Sequence, residues 1–263
     1  MAVSHAGEAA ASYARRSEIQ QEIGMKMINK VPVQKGSTVL DLGCGTGYLT
    51  KVLSERVGPE GRVVAVDPDE ERLKIARERY SADNIEYIQA DDKTFPEVGH
   101  YDLVFANQMI HWTRNKEAVL KRVYDNLKPG GQFAFTTVDT TSSQAPSELA
   151  QIPREEGRIM QRLFGPDVLT KIQSCMSFLS IKEYEALASA CNYSQASVDT
   201  DNQQHEWATL DEYLDMIHGW WHGIINQSNL DEDVIQQFRK ECELKSGPAI
   251  RMHRTYLYVV LTK

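Results

Sequence analysis

From residue 13 to residue 140 the chain alternates between two hydrophobic rhythms. Ile19, Ile23 and Met27 recur every fourth position between about Tyr13 and Lys30, which predicts a helix with one apolar face. Thr38 to Leu42 (TVLDL) is a short β-branched and apolar run that stops at a glycine cluster. Leu49, Val52, Leu53 and Val57 return to helical spacing until Gly58-Pro59 ends it. Arg62 to Val66 predicts a second strand, and Pro68 opens a helix carrying Leu73, Ala76 and Tyr80. Ile85 to Ala90 and Tyr101 to Ala106 predict the third and fourth strands. A helix over Lys116 to Leu127 is closed by Lys128-Pro129-Gly130-Gly131, and Phe133 to Val138 predicts the fifth strand. Strands fed by helical crossovers run parallel, with helices on both faces. Their unbroken apolar character fits burial on both sides. Together these runs predict a doubly wound α/β sheet.

Beyond Val138 the rhythm changes. Thr140 to Ser147 (TTSSQAPS) is polar and turn-rich, and helix-like segments run on to about Asn192. A second helical stretch, Thr209 to Lys245, holds Trp220-Trp221 between His218 and His222. The strongest β signal then comes from Met252 to Leu261. A single domain over residues 1–263 accounts for this pattern, with insertions at about 140–180 and 209–245 capping the sheet.

Composition narrows the class. The chain has 263 residues with a formal charge of −8, and a pI near 5.4 disfavours a general phosphate-backbone binder, which needs clustered Lys and Arg. Mean hydropathy is −0.44, and no apolar run approaches the ~18 residues of a membrane span. Cys44, Cys175, Cys191 and Cys242 are scattered, with no metal or disulfide spacing. The opening MAVSHAGEAAASYARRS lacks the apolar core of a signal peptide. The expectation is a cytoplasmic protein, monomer or weak homodimer, that engages neither nucleic acid nor membrane.

The chemistry concentrates at Asp41-Leu42-Gly43-Cys44-Gly45-Thr46-Gly47, at the end of the first strand. A dinucleotide fingerprint starting at Gly43 needs glycine where Tyr48 stands, and a phosphate-cradling loop fails because Tyr48-Leu49 follow Gly47. What remains is a glycine turn preceded by a carboxylate, suited to a ligand with a charged amino-acid end. Asp67 closes the second strand 20 residues after Gly47. An acid at that tip accepts hydrogen bonds from ribose hydroxyls, although with Pro68 beside it a helix cap is the plainer alternative. Asp91 and Asp92 end the third strand, where a carboxylate accepts from an adenine amino group or simply stabilises a turn.

These residues together resemble the class I S-adenosylmethionine-dependent methyltransferases: DLGCGTG, VDPD, the QADD strand end and KPGG occur in the family's order from Thr38 to Val138. The resemblance implies a Rossmann-like sheet of seven strands with the last antiparallel, under a helical cap. It implies a site for S-adenosyl-L-methionine made of Tyr13, Asp41, Gly43, Gly45, Gly47, Asp67, Pro68, Asp91, Asp92 and Asn107. Within it, Asp41 and the glycines lie near the methionine end, Asp67 on the ribose and Asp91 on the adenine. The N-terminal Y-x-x-x-S-x-x-x-Q pattern of Tyr13 to Gln20, with Asn107-Gln108-Met109-Ile110-His111-Trp112 after the fourth strand, is similar to the trans-aconitate and juvenile hormone acid methyltransferase branch. That branch implies O-methylation of a small carboxylic acid, with Gln20, His111 and Trp112 as catalytic residues.

A carboxylate acceptor is already nucleophilic and needs no base, whereas an amine or hydroxyl calls for one near working pH, most naturally His111. N- or O-methylation of such a compound is the alternative, as is a cofactor-binding regulatory protein without catalysis. The Asn-Pro-Pro-Tyr-type motif of base methylation is missing where ANQMIHW stands. His218 and His222 share a helical face, but HExxH is absent and no metal is expected. Cys44 reads as a small filler in the glycine loop.

Overall fold

Runs that only a two-sided interior can accept become the central strands. The computed structural model describes residues 17–97, 100–139, 176–208, 212 and 250–263. In chain order these form α1 (Glu18–Lys30), β1 (Thr38–Leu42), α2 (Tyr48–Val57), β2 (Arg62–Asp67), α3 (Glu70–Tyr80), β3 (Ile85–Gln89) and β4 (Tyr101–Asn107). A 3₁₀ turn (Ile110–Trp112) leads to α4 (Lys116–Asn126), β5 (Leu127–Asp139), α5 (Ile181–Ala190), β6 (Gln195–Trp207) and β7 (Ile250–Thr262). The seven strands make one sheet in the order β3-β2-β1-β4-β5-β7-β6. β1 pairs in parallel with β2 and β4, β2 with β3, and β4 with β5. β7 is antiparallel to both β5 and β6, so it alone opposes the other six.

Two apolar layers sandwich the sheet. Leu40, Val64, Val104 and Phe133 pack against Val119, Leu120 and Val123 of α4 and Tyr184 of α5. On the other face Val39, Val63 and Phe105 pack against Ile23, Met27 and Ile28 of α1 and Leu53 and Val57 of α2. Each such side chain, fully withdrawn from water, contributes about 1.5–3 kcal/mol. Chain order reverses between β1 and β4, which opens a crevice at the carboxyl edge of the sheet.

Four local departures from the sequence pattern have physical causes. The helix after β2 starts at Glu70, because Asp69 and not Pro68 caps it, accepting from the N–H groups of Glu71 and Arg72. The KPGG segment belongs to β5: Tyr101 pairs with Leu127 and Leu103 with Gln132, so the strand loops out and rejoins its partner. The final strand is longer than its apolar stretch, since β6 pairs with it along its whole length. β6 itself carries little hydrophobic signal. It is an edge strand, half exposed along QASVDTDNQQHEW, and its conformation comes from pairing with β7. Apart from 176–180 and 212, the segments expected to cap the sheet lie outside the described residues, as do His218, Trp220, Trp221 and His222.

Gly47 shows how tightly the glycine turn is built. Its φ of +87° is left-handed, and a Cβ there would sit 2.8 Å from Ala76 Cβ and 3.2 Å from Ala76 Cα. Gly36 has a similar φ of +80° but open space around it. Gly36→Ala is expected to cost roughly 1–2 kcal/mol from backbone strain alone. Gly47→Ala adds an overpacking cost of about 1–3 kcal/mol. Urea unfolding of both variants checks this, and equal losses would contradict it.

Candidate functional site

The carboxyl ends of β1 and β2 bring the glycine turn and two acids together. After Leu42 the chain reverses through Gly43 (φ +81°), Gly45 (+56°) and Gly47 (+87°) into α2. Two of these glycines answer to protein neighbours as much as to any ligand. A Cβ on Gly43 would lie 2.6 Å from Met109 Cγ, and one on Gly47 would strike α3. The N–H groups of Gly43 and Cys44 both donate to the Val66 carbonyl, at 2.8 and 2.9 Å, lashing the turn to β2. The Gly45 N–H donates to Asp67 Oδ2 at 2.9 Å.

Asp41 and Asp67 are 2% and 4% exposed. Thr50 Oγ1 donates to Asp41 Oδ2 at 2.6 Å, its hydrogen bond among the described residues. Burial pushes the Asp41 carboxyl up to about 7, and the Asp67 charge adds to the rise. Burial raises Asp67 as well, against the pull of Arg72 and of the Asp69 and Gly45 N–H groups. Two carboxylates in a water-poor corner are stabilised by a proton or by an incoming cation. Loss of solvent, reinforced by those two charges, drives the Cys44 thiol far upward, so it stays protonated and is no nucleophile.

The acids after β3 divide. Asp91 Oδ1 accepts from the Lys93 N–H at 2.9 Å and from Thr94 Oγ1 at 2.7 Å. The Thr94 hydroxyl chiefly holds this carboxyl below its ordinary range. Asp91 therefore stabilises its own turn while remaining ionised. Asp92 accepts from Thr113 Oγ1 at 2.8 Å, tying the β3 tip to the loop after β4. Pro68 lies between Asp67 and the Asp69 cap, its carbonyl accepting from Gln89 Nε2 at 3.1 Å.

Asn107 anchors the first helix over this edge. Its Nδ2 donates to the Gln20 carbonyl at 2.9 Å, and its Oδ1 accepts from Thr136 Oγ1 at 2.7 Å. Gln20 is 8% exposed, and its Oε1 has no hydrogen-bond partner among the described residues. Such an orphan acceptor costs about 1–3 kcal/mol until a donor reaches it. Gln108 takes a left-handed φ of +53°, its N–H donating to Thr136 Oγ1 at 3.0 Å. Tyr13 lies outside the described residues.

His111 and Trp112, adjacent in sequence, have different surroundings. His111 is buried, stacked on Phe178 at 5.3 Å, with Nδ1 3.4 Å from Thr137 Oγ1. Burial first, then the charges of Arg254 and Lys116, lower it to about 3, so the imidazole is neutral and a weak base. Trp112 is 38% exposed. Lys116 is buried under the same loop, donating to the Thr113 carbonyl at 2.8 Å and to Ser177 Oγ. Burial lowers its ammonium to about 8.

Sequence reasoning passed over Thr50, Thr136, Thr113 and Lys116, which hold the named residues in place. The pair Thr136-Thr137 carried a usable signal: two polar residues, both 0% exposed, interrupt the apolar run from Phe133 to Val138. Among the described residues, no group of three or more His, Cys, Asp or Glu is placed to hold a metal ion. No helix among them is long and apolar enough to cross a membrane.

Comparison with known proteins gives this arrangement a lineage. The chain is 34% identical over 123 residues to trans-aconitate 2-methyltransferase of Azoarcus sp. (strain BH72), and so spans about half the length of that relative, 47% of each being covered. It is 27% identical over 199 residues to malonyl-[acyl-carrier protein] O-methyltransferase of Bacillus cereus, covering 67% of this chain and 74% of the relative. In fold it is similar to phosphoethanolamine N-methyltransferase 2 of Haemonchus contortus, crystallised with S-adenosyl-L-methionine. That likeness has a TM-score of 0.56 at 14% identity, over 97% of this chain and 57% of the other. The profile of the methyltransferase domain matches residues 33–213, taking in the glycine turn, both buried acids and the strands that carry them, and the chain belongs to the methyltransferase domain family.

Proposed function

We propose that this chain is an S-adenosyl-L-methionine-dependent methyltransferase that esterifies a small carboxylic acid. We read it as a single domain with segments 140–180 and 209–245 as its cap. The observation that carries the proposal is the buried Asp41–Asp67 pair at the glycine turn, whose raised carboxyls favour a cationic ligand. Asp41, Gly43, Gly45, Gly47 and the orphan Gln20 Oε1 fit the ammonium-bearing methionine end, with Tyr13 and Asn107 completing it. Asp67 fits the ribose hydroxyls, and Pro68, Asp91 and Asp92 the adenine end. When bound, the sulfonium donor supplies an electrophilic methyl group to an acceptor oxygen and leaves as a neutral thioether.

The residues of the chain contribute position and a dry setting. Asn107 holds α1 down over the edge through the Gln20 carbonyl, and Thr136 fixes Asn107 in turn. Asp92, Lys116 and Ser177 pin the loop that carries His111 and Trp112. Holding acceptor and methyl group in line supplies much of the acceleration, and withdrawal of water favours cancellation of opposite charges.

The electrostatics also support a carboxylate over an amine or hydroxyl acceptor. An imidazole held near 3 is a poor general base at neutral pH, so His111 orients the loop, and Lys116, still protonated at pH 7, spends its ammonium on the Thr113 carbonyl and Ser177 Oγ. A carboxylate has no proton to remove. The trans-aconitate and malonyl names of the relatives support the same acceptor class.

Incubation with methyl-labelled donor and a panel of small mono-, di- and tricarboxylic acids is expected to yield base-labile methyl ester. Label appearing only on amines or hydroxyls, or on nothing, would refute the acceptor class.

Asp41 sets a pH dependence. Its carboxyl moves from an ordinary 3.8 to about 7 on folding. Across that window the folded donor-free protein holds a proton that the unfolded chain has released, so its stability falls as pH rises. A cationic ligand competes with that proton. kcat/KM for the donor is therefore expected to decline below pH 7, while kcat on an acid stays level from pH 6 to 7, above the range in which His111 titrates and below that of Lys116. Asp41→Asn is expected to flatten the stability profile by calorimetry and weaken donor binding tenfold or more, as for loss of a charged hydrogen bond. A variant that binds donor as the wild type does would remove Asp41 from the site.

A further inference from the structure

Asp41 is a carboxyl group set among apolar neighbours. Its register partners are Ala65 on β2 and Phe105 on β4, so neither residue opposite it offers a side-chain donor. By the two-residue period of a strand it shares a face with Val39, and that face is covered by α1 and α2. The donor that does reach it comes from α2. Thr50 lies in the first turn of this helix, which Gly47 opens without a side-chain cap. A helical threonine commonly returns its hydroxyl to a carbonyl three or four residues back. Thr50 instead spends it on Asp41 Oδ2, nine positions away, at 2.6 Å. Both residues are withdrawn from water, so this hydrogen bond has no solvent to compete with it.

We propose that Thr50 is a positioning residue for donor binding: it fixes the Asp41 carboxyl by Oδ2, leaves Oδ1 to face the donor's ammonium, and favours the ionised form that the ammonium needs. The proposal rests on the S-adenosyl-L-methionine-dependent function above and adds the residue that decides when Asp41 is charged. A hydroxyl holds a carboxylate only by donating to it, and a hydrogen bond to the charged form favours that form. Three titratable groups interact with the Asp41 charge: Asp67 on β2, Cys44 in the glycine turn and Tyr87 on β3. Cys44 and Tyr87 are pushed upward and stay neutral near pH 7, while Asp67 opposes a second negative charge. Arg72 acts on Asp67. Among the described residues, Thr50 is thus the side chain whose hydrogen bond favours charge on Asp41.

The test follows two quantities between about pH 6 and 8.5 by calorimetry: binding of S-adenosylhomocysteine, which keeps the ammonium end, and unfolding of the ligand-free protein. In wild type, affinity is expected to fall as pH drops through the Asp41 midpoint, about 7. Thr50→Val keeps the branched shape but has no donor. Its midpoint is expected about one pH unit higher, with affinity at pH 7 down about fivefold and recovered at the alkaline end, as for loss of a hydrogen bond to a charge. The fall of ligand-free stability with rising pH, which ends at the folded midpoint, extends by the same interval. Thr50→Ser, which keeps the hydroxyl, is expected to hold the wild-type midpoint. An unmoved midpoint in Thr50→Val, whether affinity is unchanged or lowered equally at every pH, overturns the assignment even if the enzyme methylates acids. Should wild type bind neither S-adenosylhomocysteine nor the donor, the function above fails, and the ligand-free stability profile still decides whether Thr50 governs Asp41. Should Thr50→Val unfold, Thr50→Cys, a weaker donor in the same place, is read instead: an upward shift supports the assignment and an unmoved midpoint overturns it.

Discussion

Two carboxylates withdrawn from water on adjacent strands govern the rest of this structure. Asp41 and Asp67 sit where the interior of the sheet meets its open edge, and neither has a lysine or arginine bonded to it among the described residues. Burial raises both, and single hydrogen bonds from Thr50 and from the backbone of Gly45 and Asp69 only partly offset that cost. A protein that keeps such a pair at its edge stores an electrostatic preference for positive charge. The glycine turn keeps that preference accessible: it is tied to β2 through Val66 and packed under Met109, so it cannot collapse onto the acids.

Around this corner the fold is arranged in concentric supports. Asn107 bridges α1 and β5, Thr136 fixes Asn107, and the strained Gln108 turns the chain towards the His111 loop. Lys116 is an unusual support. It is a buried ammonium at the first position of α4, where the helix dipole disfavours it. It is satisfied there by a carbonyl and a hydroxyl, with no carboxylate among the described residues. Such an arrangement favours fixed geometry over stability, as expected of a loop that must hold its shape.

The parallel half of the sheet was legible because burial on both faces leaves a run such as RVVAVD few other conformations. β6 was not, because a strand paired on one side and wet on both faces needs no apolar alternation. KPGG misled for a related reason: proline and glycines mark a break, but a loop-out within a strand and a helix stop use the same residues. At the candidate site, the position of Asp41, Asp67 and the glycines at the tips of β1 and β2 was readable from type and spacing. The partners of Asp91 and Asp92 were not, since a carboxylate's choice between ligand, turn and distant hydroxyl depends on contacts absent from local sequence. The burial of His111 beside the exposed Trp112 likewise arises from the Phe178 side chain, which lies 67 positions away.

The sheet's strand order has a consequence for biosynthesis. β7 lies between β5 and β6 in space yet follows both along the chain. While a ribosome is still translating the long connection after Trp207, β6 has no neighbour to join, and the flank of β5 stays uncovered. The nascent chain must therefore carry an unzipped polar strand and a raw apolar border until the last span arrives and closes both at once, a window in which chaperones or self-association can intervene.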